Sequence, residues 1–278
     1  MITKYEFAGI APGPTLLLLG AVHGDEVCGT IAINRIVDDI NTGRLTINAG
    51  RMIFVPICNE RAYAAGTRFA DENLNRVMRT YENPTTYEQR AANEIVPLIQ
   101  SADFVLDIHS QHVDGEPFCF ANDMDDMRLM DFIRATGAPF VITGWDDLYD
   151  ASTDSSTEDC AARAGVIATT LECGGHDAPQ SPIVAYNAAL GVMQHLGIID
   201  STPIAKNLTR IHMTEVYYFN GGRLARDWRT FDIVRTGDVI ALDARGTEII
   251  APVDGCIVLP NPNAKMGEEW FYIAKPFP

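Results

Sequence analysis

The segment Thr15-Leu-Leu-Leu-Leu-Gly-Ala-Val22 carries no polar side chain after its first residue, and it runs straight into His23-Gly-Asp-Glu26. A strand with one wet face alternates apolar and polar residues. A continuous apolar run predicts a strand in a parallel sheet covered on both sides. The run is far shorter than the roughly 20 residues of a membrane-spanning helix. Residues 26–40 follow, with Val27, Ile31, Ile33, Val37 and Ile40 close to helical spacing, and Asn41-Thr-Gly43 stops them. The alternation continues. Strands are predicted at 51–57, 103–108, 138–143 and 166–171. Helices are predicted at 86–101, 158–164 and 182–196, with Pro97 a flaw near the end of one and Pro182 at the start of another. Alternating strands and helices predict an α/β domain around a mixed, mostly parallel sheet. With 278 residues, the chain has room for one large domain, or a mid-sized one with a small companion. It buries a core without needing disulfides or metals for folding.

Near residue 200 the pattern changes. Asp200-Ser-Thr-Pro203 reads as a linker, and the segments after Ile211 are short, turn-punctuated and strand-like. The expected division is an α/β unit at 1–200 and a small all-β unit at 201–278. Within the latter, Arg235-Thr-Gly-Asp-Val-Ile240 and Ala251-Pro-Val-Asp-Gly-Cys-Ile257 resemble half-repeats of biotinyl- and lipoyl-type barrels. The carrier lysine is absent, so the likeness is one of architecture. The net charge of −16, from 21 Lys+Arg against 37 Asp+Glu, argues against partners that are nucleic acids or anionic membranes. It also means that an anionic small molecule needs a local cluster of arginines. Six cysteines without a CxxC pair read as reduced, mostly buried thiols. The opening Met1-Ile-Thr-Lys-Tyr-Glu lacks the layout of a signal peptide, so the expected location is cytoplasmic.

Four features carry chemistry. His23 and Glu26, three apart on a tight turn after a strand, stand at the carboxyl edge of the sheet, where α/β proteins bind ligands. An imidazole and a carboxylate suit zinc, which in catalytic sites takes three protein ligands. On its own the pair is equally a capping acid beside a chance histidine. Asp107-Ile-His109-Ser110 ends another strand and supplies a third ligand in His109, with Asp107 either orienting a ligand or capping the loop. His112 is a rival ligand and His176 a lesser one; His195 and His212 read as structural. Asn59-Glu-Arg61 and Gly66-Thr-Arg-Phe-Ala-Asp-Glu-Asn-Leu-Asn-Arg76 form an arginine-dense stretch in an acidic chain. Guanidinium groups serve carboxylate recognition and oxyanion stabilisation, although surface ion pairs account for many single arginines. Finally, Glu172 closes an apolar strand before Gly174-Gly175. A carboxylate there is costly unless used, which suits a general base. Cys173 beside His176 lacks a third, orienting group for a nucleophilic role. No GxSxG, P-loop or GxGxxG occurs.

In order and spacing, these elements resemble the succinylglutamate desuccinylase/aspartoacylase family, relatives of the zinc carboxypeptidases, from about residue 15 to the C-terminus. The resemblance implies a zinc-carboxypeptidase-like α/β fold with helices on both faces of the sheet. It implies one zinc per chain on His23, Glu26 and His109. Arg68 would polarise the scissile carbonyl, Asn75 and Arg76 would hold a substrate carboxylate, and Glu172 would act as base and then acid. Glu60 stands where the family often has proline, and Asn73 where it often has aspartate; neither removes a chemical group from the site. Arg163 and Tyr272 are further substrate-binding candidates. The expected activity is deacylation of an N-acyl amino acid or related small molecule by a zinc hydrolase that works as a possible homo-oligomer. The alternatives are a metallocarboxypeptidase, an ester hydrolase using the same site, and a non-catalytic metal-binding module.

Overall fold

The computed structural model describes residues 2–149, 155–200 and 207–277. Its elements run β1 (Tyr5–Ala8), β2 (Ala11–Gly20), α1 (Cys28–Asn41), β3 (Ala49–Val55), α2 (Glu60–Ala65), α3 (Tyr87–Gln100), β4 (Phe104–Gln111), β5 (Phe118–Phe120), α4 (Met127–Thr136) and β6 (Phe140–Thr143). Then come α5 (Trp145–Leu148), α6 (Thr157–Arg163), β7 (Ile167–Gly175), α7 (Ser181–His195), β8 (Thr209–Tyr218), β9 (Gly222–Leu224), β10 (Ile233–Val234), β11 (Val239–Asp243), β12 (Glu248–Ile250), β13 (Gly255–Val258) and β14 (Glu269–Pro276). One large sheet has the order β1-β3-β2-β4-β7-β5-β6-β8-β14-β13-β10, and a second has the order β12-β11-β9. Strands β3, β2, β4 and β7 pair in parallel, while β8, β14, β13 and β10 pair antiparallel.

The leucine run explains the layering. Leu16 and Leu18 pack on one face with Ile33 and Ile36 of α1, Phe132 of α4 and Val192 of α7. Leu17 and Leu19 pack on the other with Ala92 and Ile95 of α3 and Ala161 of α6. All four leucines have 0% exposure, so each contributes roughly 1.5–3 kcal/mol of burial. The sheet is therefore mixed and covered by helices on both faces, as the sequence predicts. The C-terminal strands hold their own cluster around Trp228, Ile240, Trp270 and Phe271. A further cluster joins Phe118 and Ile142 to Ile211, Met213 and Tyr272, and so ties β5 and β6 to β8 and β14. All six cysteines are free and buried.

Several boundaries differ from the sequence reading. The helix expected from residue 26 starts at Cys28, which leaves Glu26 in the turn. Strand β4 continues to Gln111, so His109 lies within the strand instead of after it, and β7 carries Glu172 inside its length. Helix α4 and the short strands β1 and β5 have no counterpart in the sequence reading. Pro97 sits inside α3 without ending it, because only one turn remains beyond it. The expected linker falls largely on 201–203, outside the described residues.

Candidate metal centre and active-site cavity

Strands β2, β4 and β7 run in parallel and end at one edge, so whatever follows or closes them converges there. In the β4–β7 register, His109 lies beside Glu172. After β2 the chain turns sharply through Ala21, whose φ of 45° lies in the left-handed region, which is costly for a residue with a Cβ. The turn carries His23 and Glu26 inward. Gly24 is required in it: a Cβ at this position would meet the Ala62 carbonyl carbon at 2.2 Å. The Gly24 N–H also donates to the Arg68 carbonyl at 3.2 Å, which fastens this turn to the arginine-bearing loop.

That loop is itself held from below. Glu88, fully buried on α3, accepts from the backbone N–H of Ala70 at 2.7 Å and of Asp71 at 3.2 Å, and from the side chain of Asn59 at 3.0 Å. Asn59 also caps α2 by accepting from Ala62 N–H at 3.1 Å. Asn59 is thus scaffold, and Arg61 is an exposed partner of Asp71.

Two imidazoles and one carboxylate meet at the edge. Ligand atoms of His23, Glu26 and His109 all lie within 4.8 Å of one another, and all three side chains are buried. His23 Nδ1 is 2.8 Å from Glu26 Oε1, and His109 Nδ1 is 2.9 Å from Glu26 Oε2. Each ring has a second partner. His23 Nε2 lies 3.0 Å from Asn73 Oδ1. His109 Nε2 lies 3.0 Å from Asp107 Oδ2, close enough for an ion pair but not aligned as a hydrogen bond. Outer partners of this kind fix the rotation of metal-binding histidines.

Charge follows the same geometry. Burial, and then Arg68, push the His23 imidazole down to about 4, so it is neutral, the form a metal needs. Burial opposes charge on His109, but Asp107 and Glu26 outweigh it and hold the ring well above its ordinary value. Burial likewise opposes charge on Glu26, and His23 and His109 keep its carboxyl well below the usual range. A spot flanked by two carboxylates that holds a proton this firmly also favours a cation that can replace the proton. The donor set therefore fits a divalent ion.

These residues line a cavity of about 490 Å³. Glu172, Arg68, Asn75 and Arg76 line it too, with His112, His176 and Tyr272. Arg68 donates to Glu26 Oε1 at 2.9 Å. Glu172 Oε2 is buried without a hydrogen-bond partner, and burial, reinforced by Glu26, pushes its carboxyl well above the ordinary range. Asn75 Oδ1 accepts from Thr157 N–H at 2.9 Å and from its hydroxyl at 3.0 Å, leaving the amide N–H groups as donors. Arg76 donates to Glu269 at 3.1 Å, with its guanidinium carbon 5.0 Å from the Trp145 ring centre. His112 and His176 pair with each other at 3.2 Å, and His176 with Ser110 at 2.8 Å, so they form a separate rim cluster. Arg163 instead donates to the Met78 carbonyl at 3.2 Å, and it does not line the cavity.

Sequence reasoning missed Glu269, Trp145 and Glu158, which line the cavity, and it noticed Asn73 only as a departure. Glu269 precedes the buried Trp270-Phe271-Tyr272 run, the kind of signal that marked Glu172. Nothing in the local pattern marks the other two.

The fold and this edge define an α/β protein with a two-histidine, one-carboxylate candidate metal centre. Residues 12–196 match the model of the succinylglutamate desuccinylase/aspartoacylase catalytic domain, and the chain belongs to that family. It is 31% identical over 199 residues to an N-alpha-acetyl-L-2,4-diaminobutyric acid deacetylase of Halomonas elongata, a match that covers 68% of this chain and 56% of that one. It is 35% identical over 86 residues to a succinylglutamate desuccinylase of Vibrio vulnificus, covering 31% of this chain and 25% of that one. The matches therefore span about half or less of these relatives' length. Among solved structures, a succinylglutamate desuccinylase from Silicibacter sp. superposes with a TM-score of 0.80 at 25% identity, covering 100% of this chain and 89% of the other. The product-bound ectoine utilization protein EutE (DoeB) from Ruegeria pomeroyi gives 0.81 at 24% identity, covering 99% and 89%, a likeness of fold.

Proposed function

We propose that this protein is a zinc-dependent deacylase that hydrolyses the amide bond of a small N-acyl amino acid carrying a carboxylate. The observation that carries this reading is the unpartnered, buried carboxyl of Glu172 in register beside His109 of the candidate centre. His23, Glu26 and His109 would hold one zinc per chain, and when bound it supplies a Lewis acid for the acyl carbonyl and acidifies water. Glu172 takes a proton from the attacking water and returns it to the leaving amine. Burial without a partner keeps its carboxyl basic enough for the first task. Arg68 donates to the oxyanion of the tetrahedral intermediate. Arg76 and the Asn75 amide hold the substrate carboxylate. A metal-binding module without activity would have no use for a buried free carboxyl.

The C-terminal segment supports a small substrate over a peptide. Leu259, Asn261, Asn263, Lys265, Glu268 and Glu269 all line the cavity beside residues of the first 200. In this reading 1–200 is the catalytic unit and 201–278 its β-rich cover. A cover of this kind disfavours a carboxypeptidase, whose site must stay open to a chain; ester hydrolysis would use the same groups. None of the described helices is long and apolar enough to cross a membrane, and the cytoplasmic location stays part of the proposal. The test is release of free amine by zinc-loaded protein from a panel of N-acetyl and N-succinyl amino acids, run beside dipeptides. Turnover of the acyl amino acids supports the proposal. Turnover of dipeptides alone overturns it.

A further inference from the structure

A second chamber of about 200 Å³ adjoins the main cavity. Phe120, Trp145, Ser156 and Glu158 line both. Two aromatic walls, Phe120 and Trp145, meet edge to face at 5.4 Å. Among the described residues, the charged ones lining the chamber are Asp147, Glu158 and Asp159, and neither lysine nor arginine lines it. Of the three, Asp159 is used by the capping box of α6, where it accepts from Ser156 N–H at 2.7 Å. Asp147 is mostly exposed and lies 3.5 Å from His212.

Glu158 differs from both. One of its oxygens accepts from Thr170 N–H at 2.9 Å, and this is its hydrogen bond among the described residues. No described lysine or arginine pairs with it. The two arginines lining the main cavity are already engaged with carboxylates, Arg68 with Glu26 and Arg76 with Glu269. Burial without a countercharge pushes the Glu158 carboxyl up to about 8. A carboxyl in that condition gains from a cation brought in by a ligand.

The chamber also sits where a substrate's side chain would go. Arg76 stacks over Trp145, the wall shared by both cavities. Asn75 is bonded to Thr157, the residue before Glu158. A carboxylate held by Arg76 and Asn75 thus places the rest of the same amino acid beside the chamber. Aromatic faces next to an unpaired carboxyl suit an alkylammonium, through cation–π attraction and a charge-assisted hydrogen bond.

We propose that this chamber is the side-chain subsite of the substrate and takes an ammonium, with Glu158 as the residue that sets specificity. The substrate class is then an Nα-acyl diamino acid. This rests on the deacylase reading, and the experiment separates the two.

Zinc-loaded wild type and Glu158→Gln are compared on Nα-acetyl-2,4-diaminobutyrate against its uncharged isostere Nα-acetylnorvaline, and on Nα-acetylornithine against Nα-acetylnorleucine. Gln keeps the acceptor for Thr170, so the fold is expected to hold, and a thermal melt checks it. At one of the two lengths, wild type should prefer the cation by at least about tenfold in kcat/KM, in line with the penalty for leaving a site's polar groups unpaired. Glu158→Gln should lose that preference and turn over the isostere within about twofold of wild type. Equal rates for both members of each pair in wild type would overturn the subsite. So would a preference that survives in Glu158→Gln. If Glu158→Gln does not fold, Trp145→Leu is read for the same loss of preference. If wild type hydrolyses none of the compounds, the deacylase reading fails, and the subsite is judged by calorimetry with the free amino acids. Tighter binding of 2,4-diaminobutyrate than of norvaline, lost in Glu158→Gln, then supports it, and equal binding overturns it.

Discussion

Glu172 and His109 sit side by side on neighbouring strands, yet their environments ask different things of them. Glu172→Gln is nearly isosteric and removes only the ability to take a proton. It should retain its metal by elemental analysis and lose roughly two to four orders of magnitude in kcat. Near-normal turnover would place the base elsewhere. His109→Ala should lose most of the metal, whereas His112→Ala should keep it, because His112 pairs with His176 on the rim. The reverse result would exchange the two assignments. On the proposed roles, with Arg76 reading the substrate and Arg68 the transition state, Arg76→Ala should mostly raise KM and Arg68→Ala should mostly lower kcat. Equal kinetics for substrates with and without the carboxylate would sink the first assignment. The three candidate ligands were legible because each follows or closes an apolar run. Asn73 and Glu158 were not, because their importance lies in what they touch: an imidazole 50 residues away for Asn73, and a chamber wall for Glu158.

At the scale of elements, long apolar or periodic stretches were readable and short ones were not. The leucine run announced β2, and the helix expected at 86–101 is α3, which the Thr86 side chain caps by accepting from Gln89 N–H. Helix α4 is amphipathic and capped by Asp126, but it lies in a stretch rich in aspartate that reads as loop. Strand β5 has three residues, too few for a period to show. The end of β4 was misplaced because His109 and Ser110 are polar, yet both are buried in the strand. Helices α1 and α7 share a polar clasp as well as a core face: Asp39 of α1 accepts from Arg44 at 2.6 Å and from the Tyr186 hydroxyl at 2.8 Å. Hydrogen bonds from Arg44 and then Tyr186 hold the Asp39 carboxyl below its ordinary value. A depressed carboxylate contributes stability above its unfolded value, and the contribution is lost as pH falls through the folded one. Asp39→Asn should therefore melt at a lower temperature than wild type at pH 7. The gap should close below about pH 4, near the ordinary carboxylate value. A gap that is constant across that range would show that the clasp acts by shape and not by charge.

One continuous sheet of eleven strands spans both composition regimes of the sequence, with a separate three-stranded sheet after residue 200, and the strands after residue 200 pair antiparallel among themselves. Nothing local in the C-terminal sequence shows that β8 pairs with β6 across this boundary, because strand partnership is decided by long-range packing. The joining cluster around Phe118, Ile142, Ile211 and Met213 should make unfolding a single transition. In urea, far-UV circular dichroism reads chiefly the helices, which lie before residue 200 among the described residues. Two of the three tryptophans, Trp228 and Trp270, lie in the C-terminal core, so fluorescence weights that core. Coincident curves are expected, and separated midpoints would show two independently stable units. The buried cysteines offer a finer instrument for the same question. Cys28, Cys119 and Cys173 lie in one helix-covered layer, Cys58 and Cys160 in the opposite layer, and Cys256 in the cluster that joins the C-terminal strands. A thiol reagent added under native conditions reaches each of them only when its own layer opens. The six alkylation rates, read by mass spectrometry, would therefore map how often each part of the molecule breathes, without a single introduced label.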